Sequence, residues 1–378
     1  MKRPLLFGTN YSRGRIILTI LLLFVPTRLV LTLVGTYVVQ HDVFQHGDQL
    51  RRFAFHEHTA LDLWGRYDTG WYLDIAKHGY PTNTETKEPH EQYSFFPLLP
   101  AILAGLHALT GIDHFLLGLV VCNGCFLLAA TLLFAYCRLK NEALAVLTIV
   151  ALFASPVSFL FSSVMTEPLF LLICVSFFLQ LAHRNLIWAS TLVGLAILCR
   201  PTGAFLTPIL VVALWNERGT TLRSASRAMA SIALPTAAVG ILMAINARCT
   251  GDPFTFLHNP GYQGSPSFPW LNLYNGFRSI PSAPAFLAGY TVIAITIWLL
   301  GSAHASWQQH LFIAACILVP LSFGLMSMPR MIAVAFPLYM IMAGLSQKVR
   351  YGALIFPVLF VIQFVCFLYW IGNTGAII

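Results

Sequence analysis

Charge is scarce in this chain. Only 10% of its 378 residues are Asp, Glu, Lys or Arg, against about 25% in an ordinary soluble domain. Short segments of strict polar and apolar alternation are missing as well, which argues against a transmembrane β-barrel. The eight cysteines show no regular spacing. Packing within apolar runs is their plain reading, with a bridge between Cys199 and Cys249 as the alternative. There are no internal repeats and no inverted symmetry of the transporter kind. No small-residue cleavage site follows the first apolar run, so that run reads as an uncleaved span rather than a signal peptide.

What the chain has is apolar runs along almost its whole length. Backbone at bilayer depth must satisfy its own hydrogen bonds, so these runs are expected to be helices. The expected class is an all-α polytopic membrane protein, a single domain over residues 1–378. The formal charge of +8 does not point to nucleic acid, because the cations punctuate the gaps between apolar runs. That is the pattern of topology signals beside a cytoplasmic leaflet. With the basic stretch holding Lys2, Arg3, Arg13 and Arg15 inside, residues 16–39 form the first span. Residues 40–93 are then the first external loop, with short interfacial helices in it, and residues 247–281 the second. Residues 94–110 read as interfacial or re-entrant because of Pro97 and Pro100. About eleven spans follow. The inside segments of that topology hold twelve cations against only Glu142 and Glu217, which is the sign the orientation requires.

Five unusual polar segments then share the outer face. They are residues 66–80, 91–100, 162–168, 200–203 and 328–330. Acids and cations near membrane depth are costly and suggest function. Asp68, between Tyr67 and Trp71, is suited to take a proton from an attacking hydroxyl or to bind a metal. Its bland alternative is a helix N-cap. Asp74 is positioned to pair with Lys77 or His78. Glu91 either organises the site or is a solvated acid. Glu167, next to Pro168, is either a site residue or a first-turn acid. Arg200 and Arg330 suit a lipid phosphate, or else snorkel to headgroups. Trp270 and the other aromatics of the second loop suit a sugar-stacking surface or an interfacial belt.

Taken together these segments resemble the second mannosyltransferase of glycosylphosphatidylinositol assembly and its prokaryotic relatives. The resemblance rests on Arg66-Tyr67-Asp68 with Tyr72, Ile75-Ala76 and Gly79-Tyr80. It continues through Phe95-Phe96-Pro97, Thr166-Glu167, Arg200 with Gly203, and Pro329-Arg330 before Phe336-Pro337. The chain differs in having Tyr67 where the family has tryptophan, and Pro201-Thr202 where it has serine and asparagine.

The resemblance implies a GT-C fold and an inverting transfer of a sugar, mannose by analogy. The donor would be a polyprenyl-phosphate sugar and the acceptor an unidentified extracytoplasmic hydroxyl. Asp68 would be the catalytic base. Glu91, Glu167, Asp74 and His78 would support it or bind the acceptor. Arg200 and Arg330 would hold the donor phosphate, and Tyr67, Trp71, Tyr72 and Trp270 would touch sugar or lipid. No cofactor is called for, no metal cage is evident, and a divalent metal stays open. Membrane lipids are the other expected partners. The expected location is a prokaryotic plasma membrane, with the N-terminus cytoplasmic and the site extracytoplasmic. A transporter or flippase of a lipid-linked sugar and a non-catalytic scaffold subunit are the competing readings.

Overall fold

The computed structural model describes residues 13–41, 43, 54–82, 91–216, 222–258, 266–279 and 282–372. Lys2, Arg3, Arg218 and parts of both long loops lie outside the described residues. Among those described, the chain is built from helices and loops, with no strand. The principal helices are α1 (Arg13–Gln40), α2 (Thr69–His78), α3 (Leu98–Thr110), α4 (His114–Arg138), α5 (Glu142–Ala154) and α6 (Glu167–Ala182). Then come α7 (Leu186–Cys199), α8 (Leu206–Asn216), α9 (Leu222–Thr250), α10 (Pro269–Arg278) and α11 (Ala283–Leu300). The last four are α12 (Trp307–Phe323), α13 (Met328–Val334), α14 (Pro337–Lys348) and α15 (Ile355–Ile371).

Among the described residues, five helical segments are long and apolar enough to cross a membrane: Gly14–Gln40, His114–Arg138, Ser231–Thr250, Ala283–Leu300 and Gly352–Ile371. A sixth is possible only if α13 and α14, which meet at a 73° bend, count as one span. The chain is thus membrane-associated, and the sequence expectation of about eleven spans in a GT-C-like bundle is corrected to five or six. The reason is length. Helices α5, α7 and α8 have 13, 14 and 11 residues. At 1.5 Å per residue they reach roughly 16–21 Å, against about 30 Å of hydrocarbon. Hydropathy alone does not separate such helices from true spans.

Prolines cut the runs. Ser155, before Pro156, leaves the helical conformation and ends α5. Arg200, before Pro201, is extended and ends α7. Both follow from the clash that a proline ring imposes on the preceding residue. A break there leaves backbone groups without helical partners, and in an apolar setting other groups must satisfy them.

Residues 155–166 show how this is met. The stretch is not α-helical and is wholly buried. Gln363 donates to Phe153 O and Ser155 O at 3.0 and 2.5 Å. Arg28 donates to Ser158 O at 2.6 Å. Val164 N donates to Trp64 O, and Thr69 Oγ1 to Val164 O, both at 3.1 Å. The stretch delivers the chain to α6, which packs between α4 and α7. All eight cysteines are free.

Candidate functional site

Four charged side chains from four separate segments meet at one buried place. Arg330 Nε donates to Glu167 Oε1 at 2.5 Å, and its Nη1 donates to Asp68 Oδ2. Arg200 Nη1 lies 2.9 Å from the same Glu167 oxygen, in an ion pair whose angle falls short of a hydrogen bond. None of the four residues is more than 5% exposed.

Each arrives by a different route. Asp68 ends a loop tied down by Arg66, which donates to Asp62 Oδ2, Asp62 O and Gly65 O at 3.0, 2.7 and 2.6 Å. Asp62 Oδ1 in turn accepts from the amides of Phe55 and His56. Trp370 Nε1, on α15, donates to Leu63 O at 3.2 Å. Next to Asp68, Tyr67 has a positive φ of 51°, an uncommon state for a bulky residue, and packs on Trp370. Asp68 occupies the N-cap position of α2 but makes no side-chain cap bond. Its carboxylate is spent on Arg330 instead, so the bland N-cap alternative does not describe it.

Glu167 opens α6 with Pro168 after it, as expected for a first helical turn. Arg200 caps the C-terminus of α7. Arg330 sits on α13, after a turn at Gly324 whose φ of 145° suits glycine.

The electrostatics follow from crowding. Burial alone would raise the Glu167 carboxyl, but the guanidiniums of Arg330 and Arg200 outweigh it and hold it down at about 2. Burial, and then the negative charge of Asp68, pushes the Tyr72 hydroxyl above its usual range. It remains a protonated group 3.3 Å from Thr166 Oγ1.

Arg200 is the least satisfied member. Its carboxylate oxygen is shared with Arg330, and its Nη2 reaches only the sulfur of Met331 at 3.5 Å. A thioether is a weak acceptor. Three polar atoms in the cluster have no hydrogen-bond partner: Asp68 Oδ1, Glu167 Oε2 and Arg200 Nη1.

The other residues singled out from the sequence lie apart from this cluster or around it. Asp74 pairs with His78 at 2.8 Å on an exposed face and accepts from Gln92 at 2.6 Å. Glu91 begins a 3-10 turn, Glu91–Ser94, and its side chain lies outside the described ones. Tyr72 meets Phe95 edge-on, and Trp71 stacks on the same ring. Trp270 is 66% exposed and stacks on Phe268. Among the described residues no three His, Cys, Asp or Glu side chains gather to hold a metal ion. Sequence reasoning missed Arg28, Asp62 and Gln363. Arg28 had a legible signal, since it is a charge inside the first apolar run.

Comparison with protein-family models, with curated proteins and with solved structures finds no match. With five or six candidate spans among the described residues, the resemblance to the glycosylphosphatidylinositol mannosyltransferases is set aside. The GT-C glycosyltransferase activity and its mannose specificity are corrected with it, as is the transporter or scaffold alternative framed on the same architecture. What stands is the cluster itself.

Proposed function

We propose that this protein binds the head of a membrane amphiphile that carries hydroxyl groups beside an anionic phosphate, at the cluster of Asp68, Glu167, Arg200 and Arg330. The observation that supports this reading is the set of unpartnered atoms. Two buried carboxylate oxygens have no donor, and one buried guanidinium nitrogen, Arg200 Nη1, has an ion pair with Glu167 but no hydrogen bond. Leaving such atoms unmet costs about 1–3 kcal/mol each, and more when charged. A head bearing hydroxyls and a phosphate supplies both kinds of partner at once. Hydroxyls donate to Asp68 Oδ1 and Glu167 Oε2. Phosphate accepts from Arg200 in a charge-assisted bond.

A fold that needed only packing has little use for four charges here. A buried ion cluster can often be replaced by apolar side chains with no loss of stability. The apolar surroundings make a lipid-borne head a better fit than a free sugar phosphate. A sugar-bearing polyprenyl phosphate, the partner expected from the sequence, belongs to the same chemical class. In this reading the basic segment at Lys2, Arg3, Arg13 and Arg15 faces the cytoplasm, and the cluster lies toward the other side.

The test uses the full chain in nanodiscs containing phosphatidylglycerol, phosphatidic acid or phosphatidylcholine, with lipid retention read by native mass spectrometry. Phosphatidylglycerol should be retained best and phosphatidylcholine least. Arg200→Gln should weaken phosphatidylglycerol retention at least about tenfold, the loss of one bond to a charged group. Equal retention of all three lipids, or an unchanged Arg200→Gln, would count against the reading.

A further inference from the structure

Arg28 is the one buried cation in the described spans that no acid accompanies. It lies near the middle of α1, roughly 20 Å from either end at 1.5 Å per residue. It is 7% exposed. Its Nε donates to Ser162 Oγ at 2.8 Å, and its Nη2 to Ser158 O and Oγ at 2.6 and 3.2 Å. Its guanidinium carbon also lies 5.7 and 5.3 Å from the ring centroids of Phe24 and Phe126, within the range of a cation–π contact. Among the described residues it forms no ion pair. An unpaired charge at that depth is expensive, so something must make its presence worthwhile.

Its three acceptors all belong to the stretch 155–166, which ends at Thr166 and Glu167. We infer that Arg28 is a positioning residue for the charged site: by clamping Ser158 and Ser162 it sets where Glu167 meets Arg330 and Arg200. The clamp spans the 3-10 helix Ser158–Ser162, and the next four residues, 163–166, run outside any helix up to Glu167. That stretch has no α-helical ladder of its own to hold its register, so groups outside it hold it, and at Ser158 and Ser162 the donor is Arg28. No shorter donor reaches three acceptors at once; the fork of a guanidinium does.

Two native thiols report on this stretch without any ligand. Cys122 Sγ lies 3.4 Å from Met165 O, and Cys199 Sγ 3.9 Å from Thr166 O. Both are fully buried, as is Cys137 near the far end of α4. Buried thiols react only when their segment opens. In the full chain in nanodiscs, labelling by N-ethylmaleimide is followed at each cysteine by mass spectrometry, alongside phosphatidylglycerol retention. Arg28→Met should raise labelling of Cys122 and Cys199 about tenfold over Cys137 and lower retention about tenfold. Arg28→Lys, which keeps the charge but only part of the fork, should fall between Arg28→Met and the parent.

Unchanged labelling and retention in Arg28→Met would overturn the inference. So would labelling that rises equally at Cys137, which marks a general structural role. Labelling that rises while retention holds would separate Arg28 from the site. The retention arm rests on the binding reading above and the labelling arm does not. A parent chain that retains no phosphatidylglycerol therefore sinks that reading alone, and labelling still decides whether Arg28 holds the segment.

Discussion

Glu167 pairs with two guanidiniums through one oxygen, and that makes it the residue on which the cluster most depends. Its carboxyl is held near 2, against an ordinary value of 4.5. A depressed carboxyl stabilises the fold fully above its unfolded value. That contribution is lost as pH falls from about 4.5 through about 2, and amounts to about 3 kcal/mol. The parent should therefore lose thermal stability over that range more steeply than Glu167→Gln does. At neutral pH Glu167→Gln should be less stable by about 3–5 kcal/mol, because Arg200 would lose its buried counter-charge and Arg330 would keep only Asp68. Denaturation in detergent at pH 7 and pH 3 reads both effects. Equal stability of the two proteins at pH 7 would remove Glu167 from the centre of the account. Asp68 shows how far sequence could reach at this scale. Its helix-start position was legible, but its pairing with Arg330, 262 residues away, is a product of the tertiary fold.

At the scale of elements, the site depends on breaks rather than on helices. Arg200 is extended because Pro201 follows it, and Gly203 then turns the chain so that its N–H meets Arg200 O at 2.9 Å. A side chain at Gly203 would collide with the backbone of Ala196 and Ile197. Backbone atoms cannot swing aside, so Gly203→Ala should force α7 from the 3-10 turn Pro201–Phe205 and shift Arg200. The expected cost is about 1–3 kcal/mol in stability, with lower phosphatidylglycerol retention. Gly105→Ala, which meets open space, is the control that should change neither. These breaks were partly legible, because Pro201 and Pro329 lie in segments that stand out in the sequence. What periodicity could not tell was that the pieces on either side are too short to span. A run of 13 apolar residues reads the same whether lipid or protein surrounds it, and α6 is largely surrounded by protein.

At the scale of the whole molecule, five or six long apolar helices carry a shorter helical interior whose polar groups converge on one cluster. The outer faces of α1 and α15 are apolar and exposed, as at Leu22, Leu33, Val358 and Val361, and lipid is their natural surrounding. The charges lie where the loop before α2, the entry to α6, the end of α7 and the start of α13 come together. Sequence identified all four charged residues as unusual but tied them to a many-span enzyme, because spacing along the chain carries no count of the helices that truly cross. The central claim is that a phosphate seats against Arg200 in this cluster. Its most direct measurement is the dipolar coupling between ¹⁵N-arginine side chains and the ³¹P of phosphatidylglycerol, by solid-state nuclear magnetic resonance on the reconstituted chain. A charge-assisted contact places nitrogen and phosphorus within about 4 Å. The account predicts strong dephasing in the parent that is lost in Arg200→Gln. Dephasing that is absent from the parent, or that persists unchanged in Arg200→Gln, would contradict it.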